Sequence, residues 1–439
     1  MKPDPLGDWR RTHFSTEIVP ELSGEEAVLM GWVTDIRDLG GIKFFILQDI
    51  RGSIQVTAPK SKVDSEILDK IDSISKESAV GVKGKARAEE QAPRGVEIIP
   101  SEIRVLNPAK IPLPLDPTGH QKADLDTRLN SRLLDLRRPK SQAIFKIKHA
   151  ACQAIREYLI SNGFIEIHTP KIVRSATETG ATLFPISYFE REAFLSQSPQ
   201  LYKEVLTGCL DKVFEFGPIF RAEEHDTRYH LNEVLSTDIE VAFVTKEDVM
   251  GVLEDVLVEV FKKVKQKCSE ELKVLEKEIE VPEKPIPRIT YDEALDKLEE
   301  AGKRVRWGED FSIPEQRELG NIIDGAYFVS DWPADLKPFY IMAHKENPKL
   351  SHAFDLLYDE IELASGGTRV HQKEVLIKQL KNKGLSPKQF KYHLKNFEWG
   401  LPPHSGWGLG IERLTMALTG ARNIRECVLF PRDQKRLTP

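Results

Sequence analysis

Gly406-Trp407-Gly408-Leu409-Gly410-Ile411-Glu412-Arg413-Leu414-Thr415-Met416-Ala417-Leu418 sets three alternating glycines directly against an apolar helical run. Alternating glycine on a strand allows close approach of another backbone or of a flat ligand. The spacing is not that of the dinucleotide fingerprint, and no βαβ unit with an acidic residue about 20 positions further on follows it. No Walker A sequence occurs, so a nucleotide site here is not of the P-loop type. The stretch reads as a strand feeding a helix. It closes a region, from residue 140 onward, whose pattern is mixed α and β.

Three further constellations lie upstream. Asp355 and Glu362 sit in Phe354-Asp-Leu-Leu-Tyr-Asp-Glu-Ile-Glu-Leu-Ala-Ser-Gly-Gly-Thr-Arg369. Their separation is odd, so they do not share a face of one strand, but two strands joined by a turn near Tyr358–Glu360 could bring them together. With the Ser365 hydroxyl, two such carboxylates suit a magnesium ion that is also held by substrate phosphates. From spacing alone, a pair of exposed acids is the commoner outcome. Phe220-Arg221-Ala222-Glu223-Glu224-His225 and the following segment to Phe243 read as two strands joined by a long charged loop. An arginine at such a strand end can bind phosphate bidentately, although a solvated hairpin fits as well. Gln197-Ser-Pro-Gln200-Leu-Tyr-Lys203 places polar groups and a lysine at a strand-to-helix junction, where a capped helix start with a surface lysine is the plainer reading.

Toward the N-terminus, Lys110-Ile-Pro-Leu-Pro-Leu-Asp-Pro117 holds three prolines in eight residues and reads as a stiff linker. The expected division is residues 1–108, a linker or hinge at 109–139, and residues 140–439. Residues 128–148 carry seven Lys/Arg against one acid, either a nucleic-acid patch or a solvated helix face. Helices are expected over 144–162, 245–280 (with Thr245 and Asp248 as a capping box), 368–382 and 386–397. Residues 15 to 108 alternate in short runs separated by glycine turns, which suggests a five-stranded OB-type barrel with an open face for oligonucleotides. The 439 residues are 40% hydrophobic and 30% charged, an ordinary globular composition. No apolar run is long enough to span a membrane, and the start, MKPDPLGDWRRTHF, lacks the apolar core of a secretory signal. Four cysteines lie far apart without a CxxC pair and read as reduced thiols of a cytoplasmic protein. A net charge of −6 argues only weakly against nucleic acid, because local patches decide such binding.

Taken together, these segments resemble the class II aminoacyl-tRNA synthetases of subclass IIb, in particular the aspartyl family of archaeal and eukaryotic type. The resemblance runs from about Arg11 to Pro439. Gly163-Phe-Ile-Glu-Ile-His-Thr-Pro170 matches motif 1, Phe220-Arg221-Ala-Glu223 with its loop matches motif 2, and Gly406 to Arg413 matches motif 3. It implies an α+β multidomain protein: an N-terminal OB-fold anticodon-binding barrel and a catalytic domain built on an antiparallel sheet flanked by helices. It implies ATP and Mg²⁺, L-aspartate, tRNA(Asp) and a homodimer with Pro170 at the two-fold interface. By the same resemblance Arg221 and Arg413 are catalytic, clamping the α-phosphate and the γ-phosphate end of ATP. Glu223, His230 and Glu362 join them around the nucleotide, and Asp355, Glu362 and Ser365 hold the metal.

For the amino acid, the resemblance implies that Lys203 and Arg369 meet the side-chain carboxylate and Asp238 takes the α-ammonium, with Gln200, Ser365 and Glu178 completing the pocket. Glu178 falls in the loop Ser175-Ala-Thr-Glu-Thr-Gly180. Lys203 separates the chain from the asparaginyl relatives, since a buried cation facing a neutral amide would be left unpaired. On the barrel, Phe44 matches the aromatic that stacks on an anticodon base, and Thr34, Arg37 and Gln55 match anticodon contacts. Two departures stand out. Tyr229-His230 stands where relatives carry Arg-His, with Arg228 one place earlier. Thr34 stands where archaeal relatives carry Trp or His, which leaves open whether tRNA(Asn) is charged as well. A non-catalytic paralogue would have lost Arg221, Arg413, Asp355 or Glu362, and an asparagine synthetase of this descent would lack the barrel.

Overall fold

Alternation of apolar and polar side chains closes five strands into a barrel: β1 (Glu26–Asp38), β2 (Ile42–Gln48), β3 (Ser53–Pro59), β4 (Ala79–Ala88) and β5 (Val96–Asn107), in the order β1-β2-β3-β5-β4. Leu29, Val33, Phe45, Leu47, Val56, Val82 and Ile98 fill its interior. Side chains one position away turn outward, so Phe45 belongs to the core while Phe44 is half-buried on the outer face. The stretch is not all β. A helix, Ser65–Ser73, puts Ile67 and Ile71, one turn apart, into the barrel core. The computed structural model describes residues 2–174, 183–222 and 227–439. Two compact units divide between Lys122 and Ala123.

The second unit is built on an eight-stranded sheet: β6 (Ile165–Glu166), β7 (Lys212–Phe220), β8 (Glu233–Ala242), β9 (Arg288–Thr290), β10 (Ala326–Ser330), β11 (Ala353–Tyr358), β12 (Ile361–Thr368) and β13 (His404–Gly410). The spatial order is β9-β10-β11-β12-β13-β8-β7-β6. The sheet is antiparallel through its middle, as expected, but parallel at both edges, β9 with β10 and β6 with β7. Helices Pro139–Ser161 and Lys246–Lys267 contribute Ile147, Ile155, Leu159, Leu253, Leu257 and Phe261 to the core on one side of it. Along β8, Ile239 and Val241 join that core. The alternate positions, Asp238 and Glu240, therefore turn to the opposite face, where the helix Gln200–Leu210 packs.

The expected capping box of Thr245 and Asp248 forms, with Thr245 N donating to Asp248 Oδ2 at 2.8 Å. The helix it starts ends at Lys267 and not near 280; Cys268 leaves helical geometry and a separate helix, Ser269–Leu275, follows. The helix expected from 368 begins at Lys373, because Thr368 still pairs with Ser405 in the sheet. The helix expected over 386–397 shrinks to Lys391–Asn396 followed by a 3₁₀ turn.

The segment expected as linker is only partly irregular. Leu125–Asn130 and Arg132–Asp135 are helical and belong to the second unit. The reason is electrostatic. Asp135 is buried, and Arg128 and Arg132 both bind it, while Arg132 also donates to the carbonyls of Val428 and Leu429. Lys148 reaches Glu412 and Cys427 O. Much of the basic run thus satisfies its own unit's acids and carbonyls. The four cysteines are free. No helix among the described residues is long and apolar enough to cross a membrane.

Candidate active site

A cavity of about 290 Å³ opens over β8, β12 and β13, lined among others by Gln200, Lys203, Arg221, His230, Asp238, Glu362, Ser365, Arg369 and Arg413. The alternating glycines explain its floor. Gly406 and Gly408 lie opposite Glu240 and Asp238 in the β8–β13 register. A Cβ on Gly408 would come within 2.8 Å of Asp238 Oδ1, and one on Gly406 within 2.3 Å of Glu240 Oε2. What approaches these glycines closely is the neighbouring strand: the Ile239 carbonyl and Glu240 at Gly406, and Asp238 at Gly408.

Those carboxylates hold two buried cations. Lys203 Nζ lies 3.1 Å from Asp238 Oδ1, 3.2 Å from Trp407 O and 3.4 Å from Glu240 Oε2. Arg369 donates from Nε to Glu240 Oε1 at 2.9 Å and from Nη2 to Oε2 at 3.3 Å. Burial works against the Arg369 charge, but Glu240 outweighs it and raises the guanidinium pKa. Ser236 Oγ donates to Asp238 Oδ2 at 2.6 Å. Glu240 is the member that sequence reading missed. The i, i+2 spacing of Asp238 and Glu240 on a strand was the signal, because it puts both on one face.

At the other end, Arg413 donates from Nη1 to Glu362 O at 3.0 Å, and its Nη2 lies 3.5 Å from His230 Nε2. His230 Nδ1 lies 2.6 Å from Thr227 Oγ1. Arg221 is exposed at the end of β7, its backbone tied to Asn232. Tyr229, the unexpected residue of this loop, donates its hydroxyl to Glu360 Oε1 at 3.0 Å. That pins the loop to the β11–β12 turn. Arg228 lines a different cavity, with Arg317 and Arg422.

Asp355 and Glu362 converge as their two-strand placement suggested. A bulge between Leu356 and Leu357 shifts the register, so Asp355 lies opposite Ser365 while Glu362 lies opposite Leu357. Asp355 is buried; Lys337 Nζ sits 2.6 Å from its Oδ2, and its Oδ1 has no hydrogen-bond partner among the described residues. Burial raises the Asp355 pKa against the pull of Lys337, and the charge of Glu362 adds to the rise. An unpartnered buried oxygen beside a second carboxylate and a hydroxyl is a donor set suited to a hard cation. Among the described residues no cluster of three or more His, Cys, Asp or Glu forms a metal cage.

Glu178 and Glu223 lie outside the described residues. Pro170 is exposed beside a second cavity of about 750 Å³, which neither Lys203 nor Arg369 lines. On the barrel, Arg37, Phe44 and Thr57 form one row across three strands, and Asp35, Ile46 and Gln55 the next. The Arg37 guanidinium lies 5.9 Å from the Phe44 ring centroid. Gln55 Nε2 donates to Glu97 Oε2 at 3.0 Å. Thr34 sits at a β-bulge, its hydroxyl 3.5 Å from Ile46 O.

Residues 124–434 match the family described as tRNA synthetases class II (D, K and N), and residues 27–106 match the OB-fold nucleic acid binding domain. An aspartate–tRNA(Asp/Asn) ligase of Methanothermobacter thermautotrophicus is 53% identical over 99% of this chain and 100% of its own length. One of Methanocaldococcus jannaschii is 52% identical over 98% of this chain and 99% of its own. Among solved structures, asparaginyl-tRNA synthetase from Pyrococcus horikoshii complexed with asparaginyl-adenylate superposes with a TM-score of 0.93 at 33% identity, covering 98% of this chain and 100% of that one. Aspartyl-tRNA synthetase from Entamoeba histolytica gives 0.87 at 32%, covering 99% and 94%.

Proposed function

The chain belongs to the class II tRNA synthetases (D, K and N), and from that premise we propose how its own residues act. It is an ATP-dependent aspartate–tRNA ligase. The α-carboxylate of L-aspartate attacks the α-phosphate of ATP, pyrophosphate leaves, and a terminal ribose hydroxyl of tRNA then displaces AMP from the aspartyl-adenylate. Chemistry of this kind needs in-line positioning and neutralisation of charge more than a covalent enzyme intermediate. Arg221 neutralises the α-phosphate. Arg413, fixed by Glu362 and lying against His230, takes the far end of the triphosphate. Mg²⁺, held by Asp355 and Glu362 with Ser365 beside them, would supply further neutralisation of the phosphates. Glu223 and Glu178 complete the nucleotide and amino-acid sites.

The observation that carries the aspartate reading is the pair of buried cations, Lys203 and Arg369, in one cavity. The fold alone does not separate aspartyl from asparaginyl enzymes, since both superpose closely. Lys203 and Arg369 are already paired with Asp238 and Glu240, so neither is left unpaired beside a neutral amide as the sequence suggested; a substrate carboxylate is preferred by competing with those two carboxylates for the cations. Asp238 then takes the α-ammonium, with Gln200 alongside. Phe44, Arg37, Gln55 and Thr34 form the anticodon face of the barrel.

The enzyme charges both tRNA(Asp) and tRNA(Asn). The names of the archaeal relatives and Thr34 at the edge of the anticodon face support this. Aminoacylation with labelled aspartate on purified tRNA(Asp) and tRNA(Asn) transcripts tests it; charging of tRNA(Asp) alone overturns the dual specificity, and charging of neither overturns the function. The working form is a homodimer, with exposed Pro170 at the two-fold interface. Light scattering that returns a monomer at assay concentration would refute that.

A further inference from the structure

One turn beyond Gln200, the helix Gln200–Leu210 carries a carboxylate that the mechanism above does not use. Glu204 is 0% exposed. Its Oε1 accepts a hydrogen bond from Gln200 Nε2 at 2.6 Å. Its Oε2 makes no hydrogen bond among the described residues but lies within ion-pair reach of two imidazoles from elsewhere in the chain, His393 Nε2 at 3.3 Å and His404 Nε2 at 3.9 Å. His404 is itself fully buried, and its Nδ1 donates to Pro402 O at 2.7 Å. Burial by itself would neutralise Glu204, but the two imidazoles outweigh it and hold the carboxyl well below its usual range. Glu204 in turn raises the His404 pKa against burial. Arg369 and Glu240 also act on this array, Arg369 through Glu204 and Glu240 through His404, and His371 lies near His404.

An ionised carboxylate accepts hydrogen bonds and donates none. The Gln200 amide must therefore turn its NH₂ toward Glu204. The end left for the cavity, which Gln200 lines beside Lys203 and Asp238, is the carbonyl oxygen. We propose that Glu204, backed by His393 and His404, is a positioning residue that locks the Gln200 amide with its oxygen toward the amino acid, so that the site accepts from the α-ammonium. Without the lock, either amide end can face the cavity, and the NH₂ end opposes an ammonium. The inference rests on the reading of Gln200 as an amino-acid contact.

The test is ATP–pyrophosphate exchange with aspartate and ATP varied separately, on wild type, Glu204→Gln, Gln200→Ala and the double variant, each checked for folding by thermal melting. In Glu204→Gln the facing amide no longer dictates orientation. The aspartate KM should rise about tenfold, the order of one misplaced hydrogen bond, with kcat and the ATP KM within about twofold. The double variant should be no worse than Gln200→Ala, because both lose the same contact. An unchanged aspartate KM in Glu204→Gln, or penalties that add in the double variant, overturns the proposal. An unchanged aspartate KM in Gln200→Ala instead overturns the reading of Gln200 itself. Should Glu204→Gln fail to fold, His393→Gln probes the array from its other end: a raised aspartate KM supports the lock, and an unchanged one overturns it.

Discussion

At the scale of single residues, the amino-acid pocket is a problem of buried charge. Lys203 meets Asp238, Glu240 and a main-chain carbonyl at once. Lys203→Ala leaves those carboxylates underpaired and, in the proposed pocket, removes one partner of the substrate carboxylate. Aspartate activation should fall at least ~100-fold in exchange assays, since each uncompensated polar group costs 1–3 kcal/mol or more. Near-normal aspartate kinetics would refute the pocket. Gly408→Ala tests the floor. A methyl placed 2.8 Å from Asp238 Oδ1 must push that carboxylate off its position. The aspartate KM should rise while the melting temperature falls only modestly; an unchanged KM would show that Asp238 is not a contact. The resemblance to a family named Lys203, Asp238 and Arg369, and the fold brings all three to one cavity. Glu240 and Glu204 went unnamed, because a carboxylate that only pairs with other protein groups leaves no motif. It shows itself once strand register and helix packing bring its partners close.

At the scale of elements, strand period 2 did most of the placing. It separated Phe44 from Phe45, split β8 into a core face and a site face, and let a bulge bring Asp355 and Glu362 together. Helix ends were read less well. The stop at Lys267 and the late start at Lys373 depend on packing and on a strand that continues to Thr368, neither of which the local sequence encodes. The Glu204–His393–His404 array joins three such elements and makes their association pH-dependent. The folded pKa of His404 is raised above its ordinary 6.5, so its contribution is full below that value and is lost as pH rises through the folded pKa. That of Glu204 is lowered below its ordinary 4.5, so its contribution is present above that value and is lost as pH falls through the folded pKa. Both are present together between pH 4.5 and 6.5. The melting temperature should decline as pH rises beyond that window, and Glu204→Gln should flatten the decline. A variant that keeps the full alkaline slope would show that other groups cause it.

At the scale of the whole molecule, recognition and chemistry lie in separate compact units. The barrel falls within Met1–Lys122, and every group assigned to activation falls within Ala123–Pro439. The units divide between Lys122 and Ala123, inside the segment expected as a linker but beyond its proline-rich stretch. Arg128 and Arg132 read as a surface patch until their buried partner Asp135 is seen. This division makes the two half-reactions separable by mutation. Phe44 lies on the outer face of the barrel beside Arg37, and stacking of one base on an aromatic is worth about 1–3 kcal/mol. Phe44→Ala should therefore raise the tRNA KM in aminoacylation by about 5- to 150-fold and leave ATP–pyrophosphate exchange at the wild-type rate. Phe45→Ala is the control in the same strand. Phe45 is fully buried, so its truncation should cost about 3–5 kcal/mol of barrel stability and register as a lowered melting transition. If Phe44→Ala melts early as Phe45→Ala does, Phe44 is holding the barrel together. If Phe44→Ala instead slows exchange, activation depends on the barrel and the two units do not divide the work.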